Sequence, residues 1–442
     1  MIRISDNTFI KEGTLSEVFV SKFLNKSLST LEQEGLFVFP SQLNNLIDLE
    51  ESQNVLISDG KEIRTTNVMG FIEYQDERVF INSRFDQEHD YFLYYMLQKV
   101  LNINVTDTFF AQNKSESLFN LLQLLFPRYL NNALKKGLYK EYKQYEHNDA
   151  NVSGVFDIDR HMKLNQPFLG KVAYNTRKFS YENNVLLLVR HTIEVLRRHV
   201  SFKLIINNKK ITTDNIKKIE QMTPNYKKYD VGQLIFKNMI KPVRHGYYHE
   251  YKALQQLCIA ILRNQRTHYS DLDDKDINGI LFDGAWLFEE YINTVIGEYF
   301  HHPMNKGKIG KQNLFNNNTG HIYPDFVSKE KIVNSIVADA KYKLNRNIRS
   351  HDYLQIVAYL YRFDAKKGYF LYPYSKLNET DKLNLEVLHL LEGYGRNSRV
   401  RQDAVEVIKL GIEIPYKKDS YLEFKEEIRK NEYKFIDFIR QA

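Results

Sequence analysis

Between residues 323 and 343 the chain reads Tyr-Pro-Asp-Phe-Val-Ser-Lys-Glu-Lys-Ile-Val-Asn-Ser-Ile-Val-Ala-Asp-Ala-Lys-Tyr-Lys. β-Branched and apolar residues flank the polar Ser328–Lys331 on both sides, the pattern of two strands folded back around a turn. An antiparallel hairpin of this kind returns Asp325 towards Asp339. Residues two apart in a strand project from one face, so Asp339 and Lys341 share it. Two carboxylates and one ammonium therefore converge in any fold that keeps this hairpin. An unused cluster of like charges would be electrostatically costly.

Asp-x-Lys alone is a common surface ion pair, so its neighbours decide what it means. Upstream, Ala285–Ile296 sets Phe288, Ile292 and Val295 at the core spacing of an amphipathic helix, with Glu289 beside that stripe. Downstream, Ser350–Tyr361 reads as a second helix, where Gln355 and Tyr359 stand four apart on one face. Gly368–Pro373 then returns as a strand. Carboxylates in such a cluster suit a hard divalent cation, which takes oxygen ligands and retains waters. Asp325 and Asp339 are the expected ligands of a magnesium ion that polarises a phosphodiester and acidifies a bound water. Lys341 would orient that water or stabilise charge on the phosphate.

A length of 442 residues suggests about three domains. The single Cys258 excludes a disulfide framework and a Cys-based zinc site. No run of about 18 apolar residues is present, and the opening residues lack the apolar segment of a signal peptide, so no membrane association and a cytoplasmic location are expected.

Charge divides the chain into blocks. Residues 1–110 hold 9 Lys+Arg against 17 Asp+Glu, residues 111–270 hold 27 against 12, and residues 271–442 hold 26 of each. The first block reads as short strands, Gly35–Pro40, Asn54–Gly60, Gly70–Tyr74 and Asp76–Ser83, followed by an aromatic helix from about Asp90 to Leu101 whose spacing suits a buried face. The second is mainly helical, with helices over Ser115–Leu134, Asn184–His199 and His249–Arg263 and a strand-like Val152–Asp159 between them. Its basic excess invites a polyanion, and Lys209, Lys210, Lys217 and Lys218 are the candidate DNA phosphate contacts, with Tyr359 of the third block as a further candidate for DNA.

Asp271–Gly279 precedes the third block and reads as an acidic linker. Asp274, Asp276, Asn278 and Gly279 match the opening of an EF-hand calcium loop, but the twelfth position, which should bring a bidentate Glu, is Ala285. Gly307–Lys311 has neither the spacing nor the hydroxyl of a nucleotide-binding P-loop.

Taken together, Leu287-Phe288-Glu289, Pro324-Asp325, Val337–Tyr342, Tyr353–Tyr359 and Leu371–Pro373 resemble the PD-(D/E)xK nuclease superfamily, and within it the McrC subunits of McrBC-type restriction systems. The related LlaJI-type family looks similar at this level. Weaker echoes at Val152–Ile158, Phe179–Asn184 and Leu257-Cys258 extend the resemblance over about residues 130–375, with Val155 standing where the family commonly has Arg.

The resemblance implies a multidomain α+β protein. The charge blocks divide it into an acidic β-rich domain (1–110), a basic, mainly helical domain (111–270) and a third (271–442), which the resemblance makes a restriction-endonuclease-like α/β nuclease domain with a mixed sheet. The resemblance further implies a magnesium-dependent DNA endonuclease, with Glu289 as a third metal ligand and Gln355 in the catalytic set, working with a separate AAA+ GTPase motor, which the acidic first block is a candidate to dock. A nuclease-fold adaptor that does not cut and a standalone repair nuclease are the competing readings.

Overall fold

The computed structural model describes residues 1–40, 53–58, 60, 62–86, 89–101, 117–199, 202, 210–266, 277–303, 311–329, 335–375, 385–401 and 405–441. The chain forms two compact units, one of residues 1–121 with 272–442 and one of residues 122–271. The three consecutive domains expected from charge are thereby corrected: the acidic first block and the third block are one body.

The reason is a strand whose first residues resemble a linker in sequence. Ile277–Asp283 pairs antiparallel with Val68–Tyr74 and parallel with Phe37–Phe39, inside a five-stranded sheet that also holds Glu77–Asn82 and Ile2–Ser5. The close approach is possible because Gly70 and Gly279 carry no Cβ: one built on Gly70 would lie 2.1 Å from the Ile280 carbonyl oxygen, and one on Gly279 2.3 Å from that of Phe71. Phe19, Phe23, Leu31, Val38, Ile72 and Leu281 close the core on one face of this sheet. The calcium-like Asp274 and Asp276 lie outside the described residues.

Asp283 ends that strand and begins the next helix. Its carboxylate accepts the Trp286 N–H at 3.1 Å, capping Gly284–Ile296. This helix packs with Tyr91–Leu101 and Tyr421–Gln441 around a buried Glu432, whose Oε1 accepts the hydroxyls of Tyr95 and Tyr291, each at 2.9 Å. The aromatic helix is therefore core, as its spacing indicates, with Phe92, Leu93, Tyr95, Met96 and Leu97 fully buried.

The second sheet of this unit has six strands in the order Phe300–His301, Phe326–Ser328, Ile336–Ala340, Lys367–Tyr374, Glu406–Glu413, Leu385–His389. The outer pairs are antiparallel and the two central pairings, 336–340 with 367–374 and 367–374 with 406–413, are parallel. It is the mixed sheet expected. Gly368–Pro373 is buried on both faces, as befits a central strand that cannot alternate polar and apolar residues. The helix Ser350–Arg362 links the parallel pair and buries Ile356, Tyr359 and Leu360 against Phe370 and Val337. Each such fully buried aromatic or aliphatic side chain contributes about 1.5–3 kcal/mol.

The other unit takes the helix Ser117–Leu134 from Leu122 onward and adds helices Asn184–Arg197, Lys210–Met222, Val231–Ile240 and Glu250–Arg266 and a three-stranded sheet. Two long strands, Glu141–Asp149 and Val172–Ser180, form that sheet with the short Val155–Phe156. The strand expected over Val152–Asp159 shrinks to two residues, because Asp157 caps a helix over Ile158–Leu164 by accepting the Arg160 N–H at 3.1 Å. That helix buries none of its residues, and Ile158, Met162 and Leu164 are exposed, as are Phe168 and Leu169. Among the described residues no helix is long and apolar enough to cross a membrane.

Candidate active site

Asp339 lies near the end of the Ile336–Ala340 strand and is 2% exposed. The neighbouring Phe326–Ser328 strand runs antiparallel with Phe326 opposite Ala338, a register that continues to set Asp325 opposite Asp339. Asp325 Oδ2 accepts the Ala340 N–H at 2.8 Å. The hairpin read from the sequence thus brings the two carboxylates together; most of its turn lies outside the described residues. Lys341, two residues beyond Asp339, pairs its ammonium with Asp339 Oδ2.

Two carboxylates meet at this point, and the charge of a third, Glu289, reaches Asp325. Burial first, then the charges of Glu289 and Asp339, push the Asp325 carboxyl well above the usual carboxylate range; the Lys341 charge and the Ala340 N–H only partly offset them. Burial opposes the charge on Lys341, but the Asp339 and Asp325 carboxylates together hold its ammonium above its ordinary value. The cluster gathers carboxylate oxygens where little water reaches, the donor chemistry that suits a hard divalent cation. Among the described residues no group of three or more His, Cys, Asp or Glu side chains is placed to hold a metal ion. The Lys341 ammonium lies on Asp339 instead.

A chain of hydrogen bonds with fixed direction orients Lys341. Its Nζ donates to Gln355 Oε1 at 3.2 Å, Gln355 Nε2 donates to the Tyr359 hydroxyl at 2.6 Å, and that hydroxyl donates to the Tyr323 carbonyl at 2.9 Å. The ammonium can only donate and the carbonyl can only accept, so no amide flip satisfies the series. Gln355 and Tyr359 share a helix face as the four-residue spacing requires. Tyr359 is 1% exposed and its hydroxyl is fully engaged, which corrects its assignment to DNA contact: it braces Gln355 from below.

Two further residues near the cluster have no clear signature in the sequence. His302 donates from Nδ1 to the Asp325 carbonyl at 2.9 Å, and its Nε2 lies 3.3 Å from Glu290 Oε1 and 3.8 Å from Glu289 Oε1. It therefore joins the Asp325 backbone to the Glu289 helix. Burial opposes charging of this ring, while Glu290, the Asp325 carbonyl and Glu289 raise its affinity for a proton, and the net effect is upward. Asp352, in the first turn of the Gln355 helix, lies 3.5 Å from Lys341 Nζ and accepts Lys343 Nζ at 2.6 Å. Its place three residues before Gln355 is the one local signal that could have found it.

Of the expected DNA contacts, Lys210, Lys217 and Lys218 lie exposed on the helix Lys210–Met222 of the other unit, and Lys209 lies outside the described residues.

None of the curated proteins matches the chain. Solved structures resemble it, among them two from Thermococcus gammatolerans. One is the refined half-complex from the tetradecameric assembly of Thermococcus gammatolerans McrB AAA+ hexamers with bound McrC, at 14% identity, 97% of this chain, 99% of that chain and a TM-score of 0.48. The other is the cryo-EM structure of the Thermococcus gammatolerans McrBC complex, at 12% identity, 67% of this chain, 87% of that chain and a TM-score of 0.32. Residues 63–373, more than two thirds of the sequence, match the family described as McrBC 5-methylcytosine restriction system component, and the chain belongs to that family.

Proposed function

We propose that the chain is the nuclease subunit of an McrBC-type restriction system, hydrolysing DNA phosphodiester bonds with a divalent cation, in complex with a separate AAA+ GTPase motor. The observation that carries this reading is the convergence of Asp325, Asp339 and Lys341 on one end of a mixed sheet, fixed by the 2.8 Å bond from the Ala340 N–H to Asp325. The restriction-endonuclease-like fold of that sheet, with Glu289 on the preceding helix and Gln355 on the crossover helix, is part of the same proposal.

Asp325, Asp339 and Glu289 would hold magnesium, which supplies a polarised phosphodiester and a more acidic water. Lys341 places a positive charge where the phosphate gains negative charge, and a charge fixed in advance costs no reorganisation during the reaction. Gln355 and Tyr359 set the direction of that ammonium. His302 keeps the Asp325 peptide in register with the Glu289 helix. The partner belongs to the reading because family members are components of a restriction system, and the resemblance supplies an AAA+ GTPase as the second chain. Two surfaces suit partner contact: the acidic exterior of the first block and the exposed apolar side chains around Ile158–Leu169. Lys210, Lys217 and Lys218, with Lys209, are the proposed phosphate contacts.

Cleavage of DNA with magnesium and GTP, with and without the motor, tests the reading. Cutting only with the motor supports it. Cutting by the isolated chain at full rate favours a standalone nuclease, and no cutting in either mixture favours an adaptor.

A further inference from the structure

The Lys341 ammonium has carboxylates within reach on two different elements. It pairs with Asp339 on the central strand and stands 3.5 Å from Asp352 Oδ1 on the crossover helix, with Gln355 Oε1 at 3.2 Å on that same helix. Asp352 is 6% exposed, so solvent screens its charge poorly. It is also held in place: Oδ2 accepts the Arg349 N–H at 2.8 Å and Lys343 Nζ at 2.6 Å, which leaves Oδ1 directed at Lys341. Burial opposes ionisation of this carboxyl, but Lys343, the Arg349 N–H and Lys341 together keep it below the ordinary range, so it is a standing negative charge.

Asp339 cannot give the same oxygen to an ammonium and to a divalent cation, because two positive charges a few ångströms apart in a buried site repel strongly. A cation on Asp339 Oδ2 therefore displaces the Lys341 ammonium, and the side chain can move by rotation alone. The anchored groups that already meet its ammonium besides Asp339 are Asp352 Oδ1 and Gln355 Oε1. We propose that Asp352 is a positioning residue that takes over the Lys341 ammonium when a divalent cation binds Asp339. One lysine then neutralises the cation-free cluster and, once transferred, stays beside the reacting phosphate. The inference rests on the nuclease reading and adds to it a route by which cation entry sets the lysine.

The test is calorimetric titration of the full chain with Ca2+, using Asp339→Asn to define binding elsewhere. Lys341→Met removes the competitor and should bind Ca2+ about tenfold more tightly than the wild type. Asp352→Asn keeps an acceptor for the Arg349 N–H but loses the charge that receives the ammonium, and should bind roughly tenfold more weakly. In the Lys341→Met background the Asp352→Asn change should have no effect, because nothing remains to be transferred. Asp352→Glu should recover wild-type affinity, and thermal melting of each variant reports whether it is folded. Lys341→Gln replaces Lys341→Met if the latter does not fold. Equal weakening by Asp352→Asn in both backgrounds would overturn the proposal, since the charge would then act on the cation directly. Absence of Asp339-dependent Ca2+ binding in the wild type would overturn it together with the nuclease reading.

Discussion

The main-chain carbonyl of Tyr342, next in sequence to Lys341, accepts a hydrogen bond at 2.6 Å from the buried guanidinium of Arg84. Arg84 also donates to Asn67 Oδ1 at 2.9 Å and lies 3.7 Å from Asp6 Oδ2, while its guanidinium sits over the Tyr342 ring at 4.8 Å. The Tyr342 hydroxyl returns to Ser83 at 2.7 Å. The first block thus holds the backbone on which the candidate lysine stands.

Removing that guanidinium should damage both stability and the site. Arg84→Met leaves the Asp6 carboxyl buried without its cation and frees the Tyr342 carbonyl, a loss of about 3–5 kcal/mol by analogy with other broken buried pairs. Urea unfolding should show the loss as a lower midpoint. An unchanged midpoint would mean that this guanidinium does not tie the first block to the site.

Asp6 makes stability depend on pH in a direction opposite to most carboxylates. Burial outweighs Arg84 and raises its pKa from 3.8 to about 6. The folded chain then holds a proton that the unfolded chain releases, so the contribution of Asp6 is present below pH 3.8 and is lost as pH rises through about 6. Over that window the change amounts to about 3 kcal/mol. Comparing unfolding of the wild type and Asp6→Asn between pH 4 and 7 should show this slope in the wild type and its loss in the variant.

The pairing of Ile277–Asp283 with Val68–Tyr74 can be tested through its glycines. Gly70 has φ +135° and Gly279 φ +154°, and a methyl group at either meets a backbone carbonyl of the opposite strand. Gly70→Ala or Gly279→Ala should each destabilise the larger unit by more than about 3 kcal/mol, since neither the strain nor the clash can relax without parting the strands. Soluble yield and melting temperature are the readouts, and a neutral effect would contradict the pairing.

What the sequence reveals and what it hides follow from how local each signal is. The Asp325–Asp339 hairpin is encoded by β-branched runs around a polar turn, and the Gln355–Tyr359 pair by a four-residue spacing, so both are legible. Ile277–Asp283 is not, because its partners lie some two hundred residues earlier and an acidic stretch precedes it. Glu141–Asp149 escapes notice because it is polar on both faces and so lacks the alternation that identifies a half-buried strand. His302 and Asp352 gain their significance from neighbours met only after folding. The assignment of Tyr359 to DNA fails because spacing gives its helix face but not what covers that face.

The basic unit should contribute a salt-dependent affinity for DNA. Replacing Lys210, Lys217 and Lys218 with Gln should lower the slope of log affinity against log salt by about 0.9 for each phosphate no longer neutralised. Fluorescence anisotropy with a duplex at several salt concentrations measures it. An unchanged slope would place the phosphate-binding surface elsewhere.

The most direct measurement is DNA cleavage by the Asp339→Ala chain assembled with its motor, magnesium and GTP, beside the wild type. Asp339 is the buried carboxylate closest to Lys341, and its loss should reduce cleavage by at least about a thousandfold while folding, motor binding and GTP hydrolysis persist. Lys341→Ala should be similarly inactive, Asp325→Ala should match Asp339→Ala, and Glu289→Ala and Gln355→Ala should be milder. Cleavage by the Asp339→Ala assembly at the wild-type rate would contradict the nuclease reading.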